Sequence, residues 1–260
     1  MEGRAVSRYS HPGVAALVLA AGMGKRMNSD LAKVLHEVAG RPLLAHVLDT
    51  LDALGVARTL VVIGHQRERV RAAFADRPDL EWVVQAEQRG TGHACMMAEP
   101  ALGEFEGTLL VVCGDTPLLT PGTLDGLLRV HAESGAAVTV LSMRLPDPTG
   151  YGRIVRTPDG DGIERIVEQK DATPAQRALD EVNSGIYAFH YPSLESVLSR
   201  LTSDNVQHEY YLTDTVALLR ARGERVAVLC ASDARELMGI NTVEQLAEAE
   251  AAWVAMREGR

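Results

Sequence analysis

Positive charge is in deficit: 26 Lys and Arg stand against 35 Asp and Glu, a formal net charge of −9 over 260 residues. That balance argues against a surface for nucleic acid or anionic membrane, where clustered cations supply the affinity. Cysteine is scarce as well. Cys95, Cys113 and Cys230 are odd in number and widely spaced. They offer neither a disulfide framework nor a zinc spacing, which points to a reducing, cytoplasmic setting. Long apolar runs are missing too, since nothing approaches the roughly 18 residues of a membrane span. Arg4 and Arg8 before the apolar stretch 14–21 imitate a signal peptide, but the run is short and leads into a glycine turn. It reads as a first strand, and residues 1–12 as a flexible N-terminal tail.

What the chain does have is alternation. Hydrophobic residues make up 46% and charged residues 23%, which suits a folded domain. "AALVLA" (15–20), "TLVVIG" (59–64), "WVVQ" (82–85) and "TLLVVCG" (108–114) read as strands buried on both faces, as in a parallel sheet. Between and after them, 42–55, 67–75, 92–102 and 122–135 show helical spacing, the first with Pro at its start and Gly at its end. The repeating βα pattern predicts an α/β fold, a Rossmann-like doubly wound, mostly parallel sheet. Beyond residue 137 the texture turns β-rich: "AAVTVLSMRL", two strands joined by a tight Asp-Gly turn within 146–171, "EVNSGIYAFH" (181–190) and "RVAVLCA" (225–231). Helices are expected at 192–201 and 242–256, with a polar stretch at 202–215. A single domain over 13–260 is therefore expected. It divides into a doubly wound part at about 13–136, a small added β-rich lobe at about 137–241 and a closing helix at 242–256.

The first strand ends in "LAAGMGKRMNSDLAKVL" (19–35), two glycines followed at once by cations. Glycines admit an anion close to the backbone, and a helix N-terminus after them would add free N–H groups and a favourable dipole. An acidic chain that binds a polyphosphate must gather its cations locally or recruit a metal. Two familiar phosphate loops fail on spacing: Leu19 and Arg26 break the P-loop pattern, and Met27 stands where the dinucleotide fingerprint needs glycine. A purely structural turn stays open on this evidence. Asp115 ends a buried strand, where ligands bind in parallel sheets, and is either a hard-cation ligand or a turn cap. Gln85 ends another strand before Gly90-Thr91-Gly92; its amide can read a base edge, or the stretch is an ordinary strand end and helix cap. His93, in the first helical turn, reads as structural.

The wider pattern is more specific. Leu19 to Lys33 matches Leu-x-Ala-Gly-x-Gly-x-Arg-Met-x5-Lys, and "QAEQRGTGHA", "LLVVCGDTPLL", "DPTGYGRIVR", "IVEQKDAT", "EVNSGIY", "EYYLTD" and "MGIN" follow in order. The set resembles the sugar-nucleotidyltransferase family, and within it the uridylyltransferase domains of bacterial bifunctional uridyltransferase/acetyltransferases. That resemblance, over roughly residues 14–250, implies transfer of a uridylyl group from UTP to N-acetylglucosamine 1-phosphate. It implies Arg26 and Lys33 as catalytic cations, and Leu19, Ala20, Ala21, Gly22, Gly24, Gln85, Gly90 and Thr91 around the nucleotide. Asp115 and Asn241 are implied as Mg²⁺ ligands, and Gly152, Glu168, Asn183 and Thr213 as the sugar pocket.

On their own residues, Glu168 beside Lys170 reads equally as a surface pair, and Asn183 as a strand end. Two departures stand out. Ala32 replaces a proline common before the lysine, which is expected to loosen the loop. Cys113 replaces a common aromatic, which alters packing beside the site. The family continues into a trimerising β-helix that transfers acetyl groups, so no acetyltransferase activity is expected of these residues, and the oligomeric state stays open. Other readings are the same chemistry with another hexose 1-phosphate or dTTP, and a catalytically silent nucleotide-binding module.

Overall fold

Strand β1 (His11–Ala20) shows why the strands of the first half read as continuous apolar runs. Val14, Ala16, Val18 and Ala20 pack into one core, and Ala15 and Leu17 into another. Successive strand side chains point to opposite faces, so a strand covered on both sides must be apolar at every position. Each buried Leu or Val of this kind contributes about 1.5–3 kcal/mol.

This computed structural model describes residues 9–27, 29–160 and 162–258. After β1 come the two-residue strands β2 (Glu37–Val38) and β3 (Arg41–Pro42), then α1 (Leu43–Leu54), β4 (Val56–Ile63), α2 (Arg67–Ala73) and β5 (Leu80–Val84). Next are α3 (Thr91–Leu102), β6 (Thr108–Cys113), α4 (Pro121–Ser134), β7 (Val138–Arg144), β8 (Arg153–Arg156) and β9 (Ile163–Val167). The chain closes with α5 (Pro174–Arg177), β10 (Glu181–His190), α6 (Tyr191–Leu198), α7 (Asp214–Ala221), β11 (Val226–Cys230) and α8 (Val243–Glu258).

The main sheet runs β11-β7-β10-β6-β1-β4-β5, with the β8–β9 hairpin attached through β10. All pairings along the main path are parallel except those of β10, which lies antiparallel to both β6 and β7. Helices α1, α2 and α4 cover one face through Leu48, Val70 and Leu127. Helices α3, α6 and α7 cover the other through Ala98, Leu194 and Val216. Helix α8 closes a smaller cluster with Met27, Leu43, Leu118 and Ile240. Its Trp253 meets the His46 ring edge-on at 4.5 Å, and its Glu250 accepts the Ala39 N–H at 2.7 Å.

The mostly parallel doubly wound sheet agrees with the pattern of the sequence, and four details differ from it. His11 and Pro12 belong to β1, and the His11 N–H donates to Gly55 O at 3.0 Å, so the chain is ordered before residue 13; residues 1–8 of the expected tail lie outside the described residues. Strands β7, β10 and β11 extend the main sheet, so only the β8–β9 hairpin stands apart as an added lobe. The connection between β8 and β9 spans 157–162, longer than a tight turn, with the Thr157 hydroxyl accepting the Gly162 N–H; Asp161 lies outside the described residues. The polar stretch read at 202–215 gives way to helix α7 already at Asp214, and the inner face of that helix carries Val216 and Leu219.

His131 on α4 is 6% exposed, and its Nδ1 bonds the Thr139 hydroxyl at 3.0 Å. Burial, then the neighbouring His190, pushes its pKa from 6.5 down to about 4. Below pH 6.5 the unfolded chain therefore takes up a proton that the fold refuses, and stability present above that pH is lost as pH falls toward 4. A melting-temperature series from pH 8 to 4 is expected to slope down across this window. His131→Gln should flatten the slope; an unchanged slope would remove His131 as its cause.

Candidate active site

Strands β1, β4, β5 and β6 end on one edge of the sheet, where ligands sit in folds of this kind. A cavity of about 360 Å³ opens there. Leu19, Ala20, Ala21 and Gly22 line it from the β1 loop, Gln85, Gly90 and Thr91 from the β5–α3 turn, and Lys33 and Asp115 from one end. Met23, Val34, Gln88, Ala94, Cys113 and Glu209 complete the lining. Of these, only Cys113 was placed beside the site from sequence; Met23, Val34 and Ala94 carry no chemical signature, and Gln88 and Glu209 come to the cavity from loops whose meeting only the fold sets.

The glycine loop differs from expectation in one respect. No α-helix follows it; two 3-10 turns, Lys25–Met27 and Lys33–Leu35, lead to α1 at Leu43. The helix dipole is therefore absent, and the positive charge of the loop comes from side chains. Gly24 has φ +61°, and a Cβ there would sit 2.8 Å from the Lys33 Cβ, so a side chain is excluded where the loop crosses itself. Arg26 is exposed in the first turn and does not line the cavity.

Lys33 is the hub of the edge. Its ammonium forms a salt bridge with Asp115 and donates to Asn241 Oδ1 at 2.8 Å. Both charged side chains are 15% exposed. Asp115 follows β6, its backbone carbonyl accepts the Ile240 N–H at 3.0 Å, and a Cβ at Gly239 would stand 3.4 Å from its carboxylate oxygens. The Asn241 amide nitrogen donates to Gly239 O at 3.2 Å, which turns Oδ1 toward Lys33. The Asn241 backbone N–H donates to Gln245 of α8 at 2.7 Å, so the start of α8 holds Asn241 in place.

Gln85 carries its backbone on Ile63 O and its side-chain nitrogen on two groups, Gly90 O and His93 Nδ1, each at 3.0 Å. The segment 209–213 straps this corner down. Tyr210 donates its N–H to Arg89 O and accepts from Gly92 N–H, both at 2.8 Å. Leu212 N–H donates to the Thr91 hydroxyl at 3.1 Å. One residue further, the Thr213 hydroxyl donates to Glu168 Oε1 at 3.0 Å.

Thus the strap connects the Gln85 corner to a second group, which does not line the 360 Å³ cavity. Gly152 lies where a Cβ would stand 3.5 Å from both Glu168 oxygens. Its carbonyl accepts the Asn183 N–H at 2.9 Å, and Asn183 Oδ1 accepts the Gly185 N–H at 3.1 Å within a register shift of β10. Gly152, Glu168, Asn183 and Thr213 are therefore neighbours, as the motif order implied. Glu168 is no surface partner of Lys170: burial, then nearby acidic groups, raises its pKa against the opposing Thr213 hydrogen bond. Cys113 touches both groups, lining the cavity while its thiol faces Gly185 O at 3.6 Å. Burial and Asp115 push that thiol up to about 12, which removes it as a nucleophile.

Ala32 does not loosen the loop. It is 2% exposed, and its N–H donates to Gln66 Oε1 at 3.1 Å, a bond proline lacks. The Gln66 amide nitrogen also donates to Asp30 O, and Arg69 bonds Asp30 O and Gln66 Oε1 at 3.0 Å each. Gln66 was invisible in the motif analysis because it lies in another loop and in a left-handed conformation, φ +53°. Gln66→Ala is expected to cost about 1–2 kcal/mol and to expose the Ala32 amide to hydrogen exchange. In an Ala32→Pro background it should cost much less; equal costs in the two backgrounds would remove the brace.

Residues 16–182 match the family of the MobA-like NTP transferase domain. Bifunctional protein GlmU of Heliobacterium modesticaldum is 51% identical over 236 residues, covering 91% of this chain and 51% of that protein. GlmU of Exiguobacterium sibiricum is 49% identical over 235 residues, covering 90% of this chain and 52% of that protein. The chain thus spans about half the length of these relatives. A solved structure of UDP-glucose pyrophosphorylase complexed with UDP-glucose shares the fold, with TM-score 0.72 at 17% identity over 93% of this chain and 98% of that one. With Lys33, Asp115 and most of the cavity lining inside the matched stretch, the chain belongs to the MobA-like NTP transferase domain family and is a nucleotidyltransferase.

Proposed function

We propose that this nucleotidyltransferase moves a uridylyl group from UTP to N-acetylglucosamine 1-phosphate, giving UDP-N-acetylglucosamine and pyrophosphate. The observation that carries the reading is the strap 209–213. It holds an amide-lined nucleotide cavity beside a separate carboxylate, glycine and amide group suited to sugar hydroxyls and an N-acetyl group. The likeness to GlmU over nine-tenths of the chain supports the reaction class. The resemblance of the ordered motifs supports the choice of UTP and sugar.

The chemistry needs no nucleophilic side chain. A sugar phosphate is already an anion at neutral pH; what it needs is shielding from the triphosphate it attacks. Its oxygen bonds to the α-phosphorus in line as the bond to the bridging oxygen breaks, and pyrophosphate leaves with the electron pair. No covalent enzyme intermediate forms. Arg26 and Lys33 offset the charge of the leaving pyrophosphate, while Gln85, Gly90 and Thr91 hold the base and Glu168, Asn183, Thr213 and Gly152 hold the sugar.

Among the described residues no group of three or more His, Cys, Asp or Glu could hold a metal by itself. A carboxylate and an amide oxygen meeting on one ammonium do fit a hard divalent cation completed by phosphate oxygens. Asp115 and Asn241 would hold Mg²⁺, which when bound neutralises negative charge on the substrate phosphates. No helix among the described residues is long and apolar enough to cross a membrane. The reading places the reaction in the cytoplasm, in keeping with the scarce, free cysteines.

Purified protein with Mg²⁺ is expected to release pyrophosphate fastest from UTP plus N-acetylglucosamine 1-phosphate when nucleoside triphosphates and sugar phosphates are screened in pairs. A faster pair reassigns the substrate, and UTP binding without turnover marks a silent module. Asp115→Ala and Lys33→Met should each lower kcat about 10²-fold or more, by analogy with loss of a transition-state donor. Full activity in either would refute its role.

Glu168→Gln should raise KM for the sugar phosphate about tenfold or more. The same variant should melt higher at pH 8. A carboxyl whose pKa is raised by burial stabilises the fold below its unfolded pKa, and that contribution is lost as pH rises. The gain should vanish toward pH 4, and a variant that melts lower at pH 8 would contradict this account.

A further inference from the structure

His93 occupies the first turn of α3 and leaves no trace in the chemistry above, yet together with the Gly90 carbonyl it fixes which atom of Gln85 faces the cavity. The Gly90 carbonyl can only accept, so the end of the Gln85 carboxamide 3.0 Å from it is the nitrogen. The second hydrogen of that nitrogen points to His93 Nδ1, also at 3.0 Å, which requires a bare lone pair there. With Nδ1 bare, the imidazole proton of the neutral ring sits on Nε2. Burial, then the neighbouring Arg89, lowers the His93 pKa and keeps the ring neutral, against a weaker pull from Glu87. Tyr210, with its ring centroid 6.3 Å from that of His93 and Arg89 stacked over it at 5.0 Å, closes the outer side.

Both hydrogens of the Gln85 amide are thus consumed inside the protein. Gln85 is 3% exposed and lines the cavity, and among the described residues its Oε1 accepts no hydrogen bond. A ligand base therefore meets an acceptor and no donor from this side chain. An unpaired acceptor facing a lone pair in a buried pocket is penalised, while one facing an N–H is satisfied.

We propose that His93 is a positioning residue that locks the Gln85 carboxamide with its oxygen toward the base, so that the site selects bases carrying N–H at the pyrimidine ring nitrogen, uracil or thymine, over cytosine. This rests on the nucleotidyltransferase reading with UTP. It turns a histidine that reads as structural into part of base selection.

The first test needs no substrate. Nitrogen-15 spectra of the imidazoles in the free protein are expected to show His93 neutral with Nδ1 unprotonated; a proton on Nδ1 would overturn the proposal. The second is kinetic. His93→Leu should raise KM for UTP about tenfold, with a much smaller change in kcat, and reduce the preference for UTP over CTP by a similar factor. His93→Asn, whose side-chain oxygen can accept in place of Nδ1, should restore most of both. Undiminished UTP preference in His93→Leu, or equal loss in Leu and Asn, would refute base selection through His93. Should neither variant fold, the tautomer in the wild type decides. Should the wild type not use UTP at all, the substrate reading fails while the tautomer result stands separately.

Discussion

One ammonium group organises the reactive edge of this protein. Lys33 reaches Asp115 at the end of β6 and Asn241 before α8, and so joins three segments that are remote in the chain. Two oxygens with partial or full negative charge would otherwise face each other in a largely buried position. The lysine offsets that repulsion, and the same two oxygens are the pair suited to a divalent cation. The surroundings of the trio serve its placement: Gly24 lets the loop pass the lysine, and Gln66 holds Ala32 directly before it. The carboxamide of Asn241 is turned by Gly239 O, as that of Gln85 is turned by Gly90 O. In both cases an acceptor-only carbonyl fixes which end of an amide a ligand meets.

The second constraint is the antiparallel strand β10. Inserted between β6 and β7, it enters the sheet at the edge where its parallel neighbours leave it. Its first residues, with the register shift after Asn183, therefore arrive beside Asp115 and Cys113 instead of at the far edge. The strap 209–213 then completes the link from the other side. The Gln85 corner and the group around Glu168 become adjacent because one strand runs against the rest.

Much of the fold was legible because periodicity is a local property. A strand buried on both faces has to be apolar throughout, as β1 and β6 are, and α1 shows its apolar face and its glycine stop within its own residues. The start of α7 at Asp214 was blurred because the strap 209–213 runs directly into it, with Thr213 turned to Glu168. The site was legible where motifs carry charge or glycine. It was illegible at Gln66 and His93, whose parts depend on what lies opposite them.

The sequence by itself determined the alternation of strands and helices, the glycine loop, and the order of motifs that resembles a nucleotidyltransferase. These follow from repeats of two and 3.6 residues and from residue types that need particular backbone shapes. Tertiary structure alone decided that the glycine loop is followed by 3-10 turns without a helix dipole, that a glutamine replaces proline in bracing Ala32, and that Gln85 presents an oxygen. Hydrogen bonds between loops are set by which segments the sheet brings to one edge and by the orientation of each carbonyl there. Neither is written in the spacing of residues along the chain.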